Sequence, residues 1–201
     1  MKKLVLFVIA LIISPLSQAA DFKEGTEYTV VSKVATKQAE VVEYFSFLCP
    51  ACFRFEALVT DLKKNLPEGV TFRKNHTETM GGNVGVEMAK AYAVSSLLKN
   101  TDVMVPKIFN AIHVQRLSMR TIEDARPLFM DAGVSEKTFN SAAKSFKLKR
   151  TTDQMRQNTN RFNIRGVPTF IVNGKYQINN QKITSAEQFQ ELVTYLSQKK
   201  D

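Results

Sequence analysis

From Val41 to Leu48 the chain is apolar and β-prone, broken only by Glu43 and Ser46, and the run predicts a buried strand. Directly after it Phe53, Leu58, Leu62 and Leu66 recur at roughly helical spacing, which predicts a helix reaching about Asn65. Pro67-Glu68-Gly69 is turn chemistry, and Val70 to Asn75 resumes a strand. From Gly81 to about Phe162 the pattern is almost wholly helical. Val84, Met88, Ala91 and Ser95 share one spacing, as do Ile122, Ala125, Phe129 and Ala132, and Thr121-Ile122-Glu123-Asp124 supplies a capping-box-like start. Thr169 to Val172 and Lys175 to Ile178 flank Asn173-Gly174, a pair suited to a type I′ turn, and so predict a hairpin. Ser185-Ala186-Glu187-Gln188 caps a last helix whose Phe189, Leu192, Val193 and Leu196 face inward. The order predicts an α/β core interrupted by a helical insertion, with no internal repeat or low-complexity linker.

The extreme N-terminus follows a different pattern. Lys2 and Lys3 precede an uncharged apolar stretch from Leu4 to Ile13, and Pro15 to Ala20 is a small-residue exit with Ser17 and Ala19 placed for cleavage. This predicts a secretory signal peptide over residues 1–19. A membrane anchor is the competing reading, but the apolar stretch is shorter than the ~20 residues a spanning helix needs. Export would place the mature chain in an oxidising compartment, where a disulfide persists.

Composition narrows the chemistry. A chain of 201 residues buries its own core without a staple, and only two cysteines are present, which argues against a disulfide-dense scaffold. Without Lys2 and Lys3, 26 basic residues stand against 19 acidic ones, a formal charge of +7. The excess serves solubility and general attraction to anionic surfaces, or a preference for acidic client proteins. No nucleic-acid motif accompanies it.

The two cysteines form Cys49-Pro50-Ala51-Cys52, at the predicted junction of strand and helix. Thiols three positions apart can close a small disulfide ring and reopen it. At a helix start the unpaired N–H groups and the helix dipole stabilise a thiolate and lower its pKa. Pro50 suits the first helical turn, where a missing N–H costs nothing. Cys49 is expected to face outward and exchange with other proteins, with Cys52 as its less accessible internal partner. The motif alone also serves haem attachment and zinc sites. Haem attachment needs His after the second cysteine, where Phe53 stands. Zinc needs two more ligands, and His76 and His113 lack ligand spacing. Both histidines read as ordinary polar or partly buried residues, and no metal or cofactor is expected.

A second signature, Gly166-Val167-Pro168-Thr169, precedes the hairpin. It resembles the loop of thioredoxin-like proteins in which a cis-proline packs beside the two cysteines. The implied role of Val167 and Pro168 is substrate binding, the Val167 backbone pairing with a client's extended chain. Five stretches together carry a more specific resemblance: residues 42–52, Leu66-Pro67-Glu68-Gly69-Val70, Met80-Gly81-Gly82, Arg165-Gly166-Val167-Pro168 and Val172-Asn173-Gly174-Lys175-Tyr176. Along essentially the whole mature length the chain resembles the DsbA family of periplasmic thiol:disulfide oxidoreductases.

The resemblance implies a thioredoxin-like fold with an inserted helical domain, residues 20–80 and 150–201 forming the first and 81–149 the second. It implies a monomeric disulfide donor, acting on reduced exported proteins and reoxidised by a quinone-linked inner-membrane partner of the DsbB type. It also maps a buried acid and lysine beneath the active site onto Glu43 and Lys74, and an early helix glutamate onto Glu56. One position departs from the pattern. The best-known members have His where Ala51 stands, and alanine cannot place positive charge beside a thiolate, so a weaker oxidant is expected. An isomerase or reductase on the same fold, and an oxidase restricted to few clients, are the alternatives. A non-enzymatic chaperone or zinc-binding module is the alternative from another class.

Overall fold

A computed structural model describes residues 22–199. The expected signal peptide lies outside the described residues. A five-stranded sheet organises the chain, with strands β1 (Tyr28–Val30), β2 (Glu40–Phe45), β3 (Thr71–His76), β4 (Thr169–Val172) and β5 (Tyr176–Ile178) in the order β1-β5-β4-β2-β3. Strands β2 and β3 are parallel, joined through helix α1 (Pro50–Lys64), and the other pairings are antiparallel. Strand β1 carries no sequence signal of the kind that marks β2. It is a short edge strand, and only Tyr28 of its three residues is buried.

Strand β2 is central and buried on both faces, which explains its unbroken apolar run. Val41 packs with Phe170 and Val172, with Val59 and Leu62 of α1, and with Phe189, Leu192, Val193 and Leu196 of the last helix, α7 (Ala186–Gln198). On the opposite face Val42 and Tyr44 meet Ile164 and Ile171. The strand stops at Phe45, earlier than the predicted Leu48. There the chain turns: Ser46 Oγ accepts from the Leu48 N–H at 3.2 Å, and the Ser46 carbonyl accepts from the Cys49 N–H at 3.1 Å. The apolar character of Phe47 and Leu48 serves packing against the helices rather than a ladder.

Between β3 and β4 the chain runs through α2 (Asn83–Leu97), α3 (Thr101–His113), α4 (Ile122–Asp131), α5 (Glu136–Ala143) and α6 (Phe146–Arg161). Met88, Ala91 and Ser95 of α2 and Ala125 and Phe129 of α4 are buried, on the faces their spacing predicts. Asp124 accepts the Thr121 N–H at 2.8 Å and so closes the N-terminus of α4. Helix α6 is continuous through residues 149 and 150 and packs against both α2 and β3. A single apolar cluster joins Phe45, Phe47, Cys49 and Cys52 to Met88, Phe109, Phe129 and Phe139 of the helical block. The hairpin forms as predicted, Asn173 and Gly174 taking the positive φ values of 52° and 59° that a type I′ turn requires. The α/β, thioredoxin-like reading with a helical insertion therefore describes the architecture.

Candidate active site

Because β2 and β4 are antiparallel, with Tyr44 opposite Thr169, the end of β2 and the start of β4 lie at the same edge of the sheet. The cysteine pair follows the first and the Val167-Pro168 loop precedes the second. Cys49 is the N-cap of α1, with extended backbone, and Pro50 occupies the first helical turn. The Cys49 sulfur accepts from the Cys52 N–H at 3.2 Å and lies 3.4 Å from the Val167 carbonyl oxygen. The Val167–Pro168 peptide is cis. Both cysteines are free thiols, so the geometry is that of the dithiol form.

The two thiols sit in opposed environments. A hydrogen bond from the Cys52 thiol, the backbone N–H groups of Cys52 and Ala51, and the Arg54 guanidinium stabilise a Cys49 thiolate against burial, and bring its pKa down to about 6. Cys52 is pushed the other way, by holding the shared proton for Cys49 and by burial. Exposure differs less than expected. Cys49 is 4% exposed and Cys52 fully buried, so Cys49 does not project outward; helical-block side chains and the Val167 loop close around it.

Beneath the pair, Glu43 and Lys74 are register neighbours on the parallel strands β2 and β3. Lys74 Nζ is ion-paired with Glu43 and, at 2.6 Å, with Glu56 of α1. Glu43 is fully buried, and among the described residues one of its carboxylate oxygens has no hydrogen-bond partner. Burial raises its pKa to about 7, although Lys74 opposes the shift. Burial acts to lower Lys74, but Glu43 and Glu56 outweigh it and hold the ammonium charged. A cleft of about 580 Å³ between α1, β3, α2 and α3, lined by Glu56, Lys74, Tyr92 and Asp102, opens onto this group rather than over Cys49. A second, of about 420 Å³, runs along Val167, Pro168, Thr169, Gln177 and Asn180. Ala51 is half-buried against the helical-block core.

Two residues that the sequence gives no reason to group also belong here. His76, at the end of β3, accepts the Phe47 N–H on Nε2 at 3.0 Å. His113, the last residue of α3, places Nε2 at 2.8 Å from the Phe47 carbonyl oxygen and stacks on Phe53 with ring centroids 5.1 Å apart. Among the described residues no group of three or more His, Cys, Asp or Glu could hold a metal ion. Among the same residues no helix is long and apolar enough to cross a membrane.

Known proteins with this arrangement are recognisable along the whole chain. The thiol:disulfide interchange protein DsbA of Escherichia coli K12 is 34% identical over 209 aligned residues, covering all of both chains. Its counterpart in Salmonella typhimurium is 32% identical with the same coverage. Among solved structures, the disulfide oxidoreductase DsbA from Proteus mirabilis superposes with a TM-score of 0.79 at 32% identity, over 89% of this chain and 98% of that one. The DsbA of Pseudomonas aeruginosa superposes with a TM-score of 0.76 at 27% identity, over 89% and 94%. The DSBA-like thioredoxin domain matches residues 40–197, and with full-length identity at this level the chain belongs to that family.

Proposed function

We propose that the Cys49–Cys52 pair is the redox centre of this thiol:disulfide oxidoreductase, and that it donates its disulfide to reduced, newly exported proteins in the periplasm. The observation that carries the reading is the placement of the Cys49 sulfur between the Cys52 N–H and the Val167 carbonyl. The first group stabilises a departing or resting thiolate, and the second belongs to the half-buried Val167-Pro168 segment beside a cleft that a client strand can enter.

The reaction starts from the enzyme disulfide. A client thiolate attacks the Cys49 sulfur, the bond to Cys52 breaks, and Cys52 leaves as a thiolate that takes up a proton. A second client thiolate then attacks the client sulfur of the mixed disulfide, and Cys49 leaves as a thiolate. Two electrons pass from client to enzyme, which ends as the dithiol. A Cys49 pKa of about 6 makes it a good leaving group in this second step. Glu43, Lys74 and Glu56 set the electrostatic background: a charged Glu43 repels a Cys49 thiolate, and Lys74 offsets that repulsion. Ala51 contributes no charge of its own.

The cleft beside Pro168 is lined by Thr29, Thr169, Gln177, Asn179 and Asn180, side chains that hydrogen-bond an extended polar peptide. In one solved Proteus mirabilis relative, 32% identical, a cysteine-containing peptide is bound non-covalently, which supports the same use here. Reoxidation requires an electron acceptor. A quinone-linked inner-membrane partner of the DsbB type fills that role in this reading, with the enzyme acting as a monomer and the helical block as a domain inserted in the thioredoxin-like one.

The deciding experiment is the equilibrium of the cysteine pair with glutathione. A pair that stays reduced in a buffer rich in glutathione disulfide is a strong oxidant, as the donor reading requires. A pair that oxidises as readily as thioredoxin is a reductase or isomerase, and the donor reading then fails.

A further inference from the structure

Phe47 lies beyond the end of β2, where its peptide has no strand to pair with, yet its side chain is fully buried. A buried peptide needs partners for both its N–H and its C=O. Both are histidines, from different elements. His76 Nε2 accepts the Phe47 N–H, which fixes the proton of this fully buried ring on Nδ1 and keeps the ring neutral. His113 meets the Phe47 carbonyl through Nε2, which must therefore carry its proton and donate. The His113 ring lies nearly parallel to that of Phe53, at an interplanar angle of 11°, and Phe53 directly follows Cys52.

What this bracket holds is the turn that delivers the nucleophile. Phe47 sits inside the Ser46–Cys49 turn, closed by the bond from the Cys49 N–H to the Ser46 carbonyl, and Cys49 then presents its sulfur to the Cys52 N–H. We propose that His76 and His113 are positioning residues for the thiol–disulfide reaction: by fixing the Phe47 peptide from both sides they set the turn that aims the Cys49 sulfur at the Cys52 amide. The inference rests on the proposed redox role of the pair. A hydrogen bond to sulfur favours the thiolate over the thiol, so loosening the turn weakens the thiolate and with it the dithiol form. The loss then appears as an equilibrium moved towards the disulfide, that is, a weaker oxidant.

The half-buried His113 is the residue to vary, because donated bond and ring stacking can be separated there. His113→Phe keeps a ring against Phe53 and loses the donor; His113→Gln keeps a donor of similar reach and loses the ring; His113→Leu loses both. The readouts are the glutathione equilibrium constant, the thiolate absorbance titration, and the melting temperatures of both redox forms. The expected result is a shift towards the disulfide of about fivefold in the Phe and Leu variants, with the Gln variant within about twofold of the parent. Donor-free variants that keep the parent equilibrium overturn the proposal, as does a Gln variant that moves as far as they do. A fall in melting temperature without change in the equilibrium marks a merely structural role and overturns it too. A parent that proves a poor oxidant defeats the donor reading, while the difference between parent and variants still decides the role of the histidines.

Discussion

The Cys49 sulfur meets the Val167 carbonyl oxygen at 3.4 Å across a sequence separation of 118 residues. On the proposed mechanism the exchanging sulfur therefore lies against the loop that leads into β4. Cys52, fully buried one helical turn away, has no such access. The expected consequence is an asymmetry between the two cysteines. Cys49→Ser abolishes client oxidation, whereas Cys52→Ser leaves the attacking position intact and accumulates mixed disulfides. Non-reducing electrophoresis checks this: the Cys52→Ser protein, first converted at Cys49 to its mixed disulfide with glutathione, is incubated with reduced periplasmic extract, so that a client thiolate displaces glutathione as the leaving thiolate; absence of trapped clients counts against the assignment.

The Cys49 thiolate ties the stability of the reduced protein to pH. Its folded pKa of about 6 lies below the ordinary thiol value of 9.0, the depressed case. The resulting stabilisation is fully present above pH 9 and fades as pH falls through 6. Each unit of depression is worth about 1.4 kcal/mol at full ionisation, so the gain is on the order of a few kcal/mol. Denaturant midpoints of the reduced form between pH 5 and pH 9 measure it, with the oxidised form, which has no thiolate, as the reference.

Lys74→Met leaves Glu43 buried with no cation. Removing one partner of a buried pair costs roughly 3 kcal/mol while the other stays charged. Glu43 is the raised case, its folded pKa of about 7 standing above the ordinary 4.5, and losing Lys74 raises it further. Its contribution is therefore intact below pH 4.5 and lost as pH rises through the folded value. The variant is expected to be near parental stability at pH 5 and clearly weaker at pH 8.5. Urea melts at the two pH values test this, and an equal deficit at both rules the explanation out.

Asn173 does more than turn the hairpin. Its Oδ1 accepts the Glu40 N–H at 3.1 Å, and its Nδ2 donates to the carbonyls of Leu196 and Ser197 in the last turn of α7. Asn173→Gly keeps the positive φ and loses these bonds, while Asn173→Ala loses the bonds and strains the turn as well. The glycine variant is expected to cost about 2 kcal/mol and the alanine variant more. Equal midpoints for parent and glycine variant would show that α7 needs no such tie.

Periodicity made most of this architecture legible, because buried faces repeat at the spacing of their element. It misjudged two places where apolar residues serve something else. Phe47 and Leu48 read as strand, but the Ser46 turn had already ended the ladder. Cys49 read as outward-facing from its place at a helix start, yet the helical block covers it, and contact between distant segments has no local signal. The histidines were hidden for the same reason. His76 and His113 end different elements, and only the fold shows that both reach one peptide. Glu43 and Lys74 were findable through the family pattern, and Glu43 also through its oddity as a charge inside an apolar strand.

The sheet order has a consequence in time. A chain that crosses a membrane from its N-terminus delivers both cysteines early, while the segment that completes their surroundings is still 118 residues behind. Strand β4 then has to pair with β2 before the Val167 loop can reach the sulfur. Until it does, Cys49 and Cys52 are ordinary thiols on an unfinished polypeptide, as open to oxidation as those of any client. The enzyme thus begins as a member of the population it goes on to serve.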